Sequence, residues 1–332
     1  MGSIVAFFAV IALVLIAFAG VSAGNMRNLF GVVIPYAALI IFITGFIFRV
    51  LKWGSSPVPF CIPTTCGQQQ SLPWIKQNKF DNPSTTFGVI VRMALEVLLF
   101  RSLFRNLKTQ LSEGQRLAYG EAKWLWLAGL AFHWSFLIIV VRHLRFFIEK
   151  VPVPVKMIEG LDSFLQVGVP LFYLSDAVIL LAVSYLFVRR VFLPQMRYIS
   201  LPADYFPLFL ILGIAASGVL MRYFFKTNIT GVKELAMGLV GFRYDPKILE
   251  GIGVIFYIHI FLISILFAYF PFSKLMHMGG VFMSPTRNMV NNSRMKRHIN
   301  PWNYPVKVHT YDEYEDDFRE KMKGAGIPVE KE

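Results

Sequence analysis

The sequence predicts an all-α integral membrane protein, a bundle of six transmembrane helices with a cytoplasmic loop that contains an amphipathic helix. Three observations lead there. Hydrophobic residues make up 55% of the 332 positions and mean hydropathy is +0.55, as expected of a chain held mostly in a bilayer. Six apolar segments each reach the roughly 20 residues that a helix needs to cross a ~30 Å hydrocarbon core. The Lys and Arg residues, which leave a net charge of +13, gather between those segments. Membrane orientation and anionic lipid account for them there, with no need for nucleic acid.

The spans fall at 3–23, 29–50, 122–148, 165–189, 204–225 and 251–272. The first ends in VSA at 21–23, which resembles a signal-peptide cleavage site, but no basic stretch precedes it, so it reads as an uncleaved span. Residues 1–28 thus form an additional N-terminal helix, 29–280 the main domain and 281–332 a tail. A seventh apolar stretch, STTFGVIVRMALEVLLFRSLF at 84–104, is interrupted by Arg92, Glu96 and Arg101, with Arg105 just beyond. Four charges in one lipid-facing span are costly. The stretch therefore reads as an amphipathic helix along the interface; a seventh span would put the termini on opposite sides.

With six spans, segment 51–121, the 190–203 loop and the tail share one face. That face carries Lys52, Lys76, Lys79, Arg92, Arg101, Arg105, Lys108, Arg116, Arg190, Arg197, Arg287, Arg294, Lys296 and Arg297. On the other face, the basic residues of 149–164 are balanced by Glu149, Glu159 and Asp162. The asymmetry puts both termini and the 51–121 segment in the cytoplasm. Only two cysteines occur, Cys61 and Cys66. They support neither a disulfide framework nor a four-cysteine cluster, so any iron–sulfur cluster served by this chain belongs to a partner.

Four of the six histidines lie in apolar segments, His133 and His143 in one and His259 and His277 in another. Ten residues give about 15 Å of helical rise and eighteen about 27 Å. The mean would set two haems in opposite halves of a ~30 Å core. The two helices run in opposite directions, which pairs His133 with His277 and His143 with His259. Straight helices would leave each pair staggered by about 6 Å. Pro271 lies between His259 and His277, where a proline kinks or ends a helix, and His277 is therefore expected at or beyond a bend.

Zinc or copper would need clustered ligands, and no C-x-x-C-H supports covalent haem. Bis-imidazole ligation closes both axial positions and suits electron transfer. The alternative is a proton-conducting or transporter subunit with histidine relays, which would normally recruit intramembrane carboxylates. Asp176 is the main one, read either as a helix–helix contact or as part of a proton path.

The ten- and eighteen-residue histidine spacings resemble the dihaem cytochrome b subunit of respiratory nitrate reductase, the NarI family, over about residues 29–280. The segment PFCIPTTCGQQQSLPWIKQNKFDNPSTTFG at 59–88 is similar to the DsrM/HmeC-type membrane subunits, the former from the Dsr complex associated with sulfite reduction. The resemblance implies a NarI-like fold in a prokaryotic cytoplasmic membrane. It also implies menaquinol oxidation and transfer through two b haems to a cytoplasmic iron–sulfur subunit of the DsrK type, related to heterodisulfide reductase. Cytochrome c and a second membrane subunit would complete the complex, a module of sulfate respiration.

Carried over, the family's quinol-side haem is that of His143 and His259. Quinone candidates near it are Lys150, Lys156, Glu159 and Asp162, since oxidation needs a proton acceptor and a hydrogen-bond partner. Arg142 and Arg145 can pair with haem propionates or reach lipid phosphate. The Cys61–Cys66 loop, stiffened by Pro57, Pro59, Pro63 and Pro73, reads as a docking segment or a redox pair. The tail, basic at 287–297 and acidic at 312–317, reads as lipid contact followed by subunit docking, or as a solvated extension; His298 and His309 there are not read as ligands.

Overall fold

The computed structural model describes residues 2–57, 67–105, 108–112, 114, 116–120, 122–165, 170–296 and 305–331. Cys61, Cys66, Pro59, Pro63 and His298 lie outside them. The first two helices are α1 (Gly2–Ser22) and α2 (Ile34–Gly54), the latter entered through a π-helical turn at Leu29–Val33. Then come α3 (Thr86–Leu99), α4 (Arg101–Arg105), and a hairpin of β1 (Lys108–Ser112) and β2 (Arg116–Gly120) with Lys108 opposite Gly120. Helices α5 (Lys123–His143), α6 (Val153–Asp162), α7 (Leu174–Phe192) and α8 (Pro194–Ile199) follow. The chain continues through α9 (Pro202–Val219), α10 (Ile229–Val240), α11 (Pro246–Glu250) and α12 (Val254–Tyr269) to α13 (His277–Met283) and α14 (Tyr311–Gly324). Among the described residues, apart from the short hairpin, the fold is all-helical, as predicted.

Among the described residues, five stretches are long and apolar enough to cross a membrane: Gly2–Ser22, Leu29–Gly54, Lys123–Phe146, Pro202–Phe224 and Val254–Phe272. The predicted span at 165–189 differs. Its helix starts at Leu174 and ends at Phe192, with Asp176 in the first turn and Arg189 and Arg190 in the last. A carboxylate near the N-terminus and guanidiniums near the C-terminus complement the helix dipole. Asp176 therefore marks a helix end instead of interrupting a span.

Helix α5 packs along α7, α7 along α9, α9 along α1, and α12 against α1, α2 and α9. Val10, Ile179, Val183, Leu210, Ile211, Leu262 and Leu266 form one buried core, with Phe132 and Ile139 of α5 against it. A second core gathers Ala17, Val21, Phe30, Leu235, Phe256, Tyr257 and Phe261 toward one end. Ile4, Phe8, Ile40, Phe48 and Leu181 face outward, the apolar exterior that a bilayer accepts and water does not.

At the other end the chain builds a polar cap. Asn291 donates its backbone N–H to Pro83 O (2.8 Å) and its amide to Asn82 Oδ1 (2.9 Å). Gln69 donates to Ser293 Oγ, and Arg287 pairs with Glu96 at 2.7 Å. Trp126 and Trp134 of α5 donate to Leu99 O and Leu98 O. The starts of α1 and α9 meet at Gly2 and Pro202, and Lys274, just after α12, reaches Asp204 of α9 at 2.6 Å. The N-terminus and the tail segment thus share this end. The predicted amphipathic stretch is broken at Phe100, whose φ of +50° ends α3 in a left-handed cap. Two of its charges are withdrawn from solvent: Arg92 is buried and Glu96 is turned onto the tail. At 14 residues, α3 rises about 21 Å, too short for a span.

Candidate functional site

A histidine that ligates iron through Nε2 needs its Nδ1–H held by an acceptor, which fixes both tautomer and ring orientation. All four predicted histidines have a partner at Nδ1, a backbone carbonyl in three and a serine hydroxyl in the fourth. Nδ1 of His133 lies 2.7 Å from Gly129 O, and that of His143 lies 2.7 Å from Ile139 O. Nδ1 of His277 is 2.9 Å from Lys274 O, and that of His259 is 2.8 Å from Ser217 Oγ. A carbonyl oxygen can only accept, so three of the imidazoles donate through Nδ1 and keep the Nε2 lone pair.

The structure brings His133 and His277 together, ring centroids 5.9 Å apart. Two imidazoles sharing one metal at about 2 Å per bond sit at about that spacing. Phe100 and Phe132 stand edge-on to His133 at 4.8 and 4.9 Å. His259 is buried on α12, where its ring meets Ser217 of α9. The donor set and the 5.9 Å spacing of His133 and His277 fit a haem between them; neutral imidazoles with one nitrogen anchored are what b-type ligation requires.

The reach of His277 depends on a break. Helix α12 stops at Tyr269, Pro271 sits in a 3-10 turn, and Ser273 is extended. A second 3-10 turn, Lys274–Met276, leads into α13, whose first residue is His277. A Cβ on Gly45 would come 2.7 Å from Pro271, so only glycine lets α2 close on the bend.

Around His143 the charged residues form a closed network. Arg142 meets Asp162 at 3.1 Å and Asp176 at 2.6 Å, all three largely buried. Ser175 donates its N–H and hydroxyl to Asp162, at 2.8 and 2.6 Å. Arg145 pairs with Glu159, which also accepts the Tyr173 hydroxyl at 2.5 Å. Tyr223 donates to the other Asp176 oxygen at 3.0 Å, and the Tyr173 ring lies under both Arg142 and Arg222. Glu159 and Asp162 of the four quinone candidates are therefore in the network; Lys150 and Lys156 are exposed. Both propionate candidates, Arg142 and Arg145, are engaged with carboxylates. Asp176 is a helix–helix contact.

Sequence reasoning missed Ser217, Tyr173, Arg222 and Tyr223. A signal existed for the first: AASG at 215–218 is a run of small residues inside a span, the composition of a close interhelical approach. The tyrosines carried none, because the chain brings them to Arg142 only through folding.

The chain matches the family described as nitrate reductase gamma subunit over residues 84–297. It is 47% identical over 279 residues, 82% of this chain and 83% of the relative, to the Hdr-like menaquinol oxidoreductase cytochrome b-like subunit of Archaeoglobus fulgidus. The subunit of the same description from Archaeoglobus profundus is 43% identical over 274 residues, 81% of each chain.

Proposed function

Because the chain belongs to the nitrate reductase gamma subunit family, we propose that it is a membrane dihaem cytochrome b that oxidises menaquinol and delivers electrons to an iron–sulfur subunit. The observation that carries this reading is the common state of four histidines, each with Nδ1 occupied and Nε2 left for a metal. Haem b, when bound, would supply one-electron transfer. His133 with His277 would hold one group, and His143 with His259 the other.

Menaquinol releases two electrons and two protons on becoming menaquinone. We place that oxidation at the His143 end, where Glu159 and Asp162 are the groups to take protons and orient the hydroxyls. Lys150 and Lys156 flank the approach. Arg142 and Arg145 pair with those carboxylates and are the candidates for propionate contact. Electrons leave at the His133 end, beside the polar cap. That end is the cytoplasmic one by its excess of Lys and Arg, so both termini lie in the cytoplasm. The acceptor would be heterodisulfide-reductase-like, of the DsrK type, within a DsrM/HmeC-type respiratory sulfur complex that also holds a cytochrome c and a second membrane subunit. The relatives, cytochrome b-like subunits of Hdr-like menaquinol oxidoreductases, support the menaquinol and the heterodisulfide-reductase-like part of this assignment.

The test is reduction of the purified, detergent-solubilised chain by a menaquinol analogue, followed in the visible spectrum. A b-type alpha band that rises on addition of quinol is expected. A histidine-relay transporter would show none.

A further inference from the structure

Three of the four histidines lean on their own helix or turn: His133 on Gly129, His143 on Ile139 and His277 on Lys274, all backbone carbonyls three or four residues back. His259 alone takes a side chain on another helix. Its Nδ1 lies 2.8 Å from Ser217 Oγ of α9, and both residues are buried, 8% and 6% exposed. Ser217 Oγ is also 2.9 Å from Ile214 O. A hydroxyl has a single proton. Spent on the Ile214 carbonyl, it leaves Ser217 Oγ as an acceptor, so Nδ1 of His259 must be the donor and Nε2 must carry the lone pair. The neighbouring Gly218 completes the seat: a Cβ there would stand 3.3 Å from His259 Cε1, tighter than the ring accepts without turning.

We propose that Ser217 is a positioning residue for His259, fixing its tautomer and setting the reduction potential of the iron held by His143 and His259. The inference rests on the dihaem reading. An acceptor on Nδ1–H makes the imidazole a more electron-rich ligand, which favours ferric over ferrous iron and lowers the potential. The serine's own donation to Ile214 strengthens it as an acceptor. Its removal leaves a buried N–H without that partner and a less electron-rich ligand, so the potential should rise. The other pair has no serine and should not respond.

The experiment is a spectroelectrochemical titration of purified wild type, Ser217→Ala and Ser217→Thr, with low-temperature EPR of the oxidised forms. In Ser217→Ala, one of two midpoint potentials should move to a more positive value, with a changed g-max for the same haem. Ser217→Thr, which keeps the hydroxyl, should match wild type in both. Two unchanged potentials in a two-haem Ser217→Ala protein overturn the proposal. Should Ser217→Ala lose the haem outright, retention in Ser217→Thr supports it and loss there overturns it. A wild-type protein without any b-type signal refutes the dihaem reading instead, and the two failures are therefore distinct.

Discussion

Arg142 and Asp176 join α5 to α7 through a 2.6 Å ion pair one residue away from His143. Asp162 closes on the same guanidinium at 3.1 Å, so one cation is shared by two carboxylates at the end of the bundle proposed to meet quinol. Breaking a buried pair from one side leaves uncompensated charge and costs about 3–5 kcal/mol. Arg142→Ala should therefore lower the thermal midpoint of the detergent-solubilised protein strongly. Arg142→Lys, which keeps the charge but not the two-sided fork, should fall between. A midpoint for Arg142→Ala equal to wild type would show that the network bears no weight.

Glu159 and Asp162 carry the proposed proton chemistry. Glu159→Gln and Asp162→Asn should lower menaquinol oxidation by about 100-fold or more while dithionite-reduced haem content stays at the wild-type level. Lys150→Ala and Lys156→Ala, at exposed positions, should remain close to wild type. Equal loss in all four variants would move the quinone away from the network.

The bend at Pro271 positions His277 alone. Pro271→Ala should permit helix to continue past Tyr269, shifting His277 away from His133. Loss of one haem, or an altered g-max for it, is expected with the other haem unchanged. An EPR spectrum identical to wild type would mean that Ser273, whose hydroxyl accepts Leu275 N–H at 3.1 Å, holds the break by itself.

In the tail, Glu315 is buried and accepts the backbone N–H groups of Glu330 and Lys331 at 2.7 and 2.8 Å. Those bonds hold its carboxyl below the usual value of 4.5. A depressed carboxyl contributes its stability in full above its ordinary range and loses it as the pH falls through the lowered value. Amide exchange across 311–331 should therefore be slow near neutral pH and accelerate in acid, beyond the intrinsic pH dependence. Glu315→Gln should show fast exchange at all pH values; slow exchange in that variant would contradict the role.

Five of the six predicted spans and the break at Pro271 were legible because each rests on a one-dimensional signal, apolar length or a proline. The start of α7 was not, since the apolar run through Leu171 and Phe172 reads the same in a span or ahead of one; Asp176 sets the boundary by its place near the helix dipole. Glu96 and Arg92 read as the polar side of an interfacial helix because the sequence announces neither the burial of Arg92 nor the return of Arg287 onto Glu96. The Arg142 network was half visible: Glu159 and Asp162 were named from proximity to His143, whereas Tyr173 and Tyr223 reach it through tertiary packing alone.

The pairing of the histidines is the central claim, and haem counted per polypeptide in two double variants tests it most directly. His133→Ala with His277→Ala removes both ligands of one site and should leave one haem per chain. His133→Ala with His259→Ala strikes both sites and should leave none. The reverse, no haem in the first and one in the second, would mean that His133 shares its iron with His259, contradicting the account.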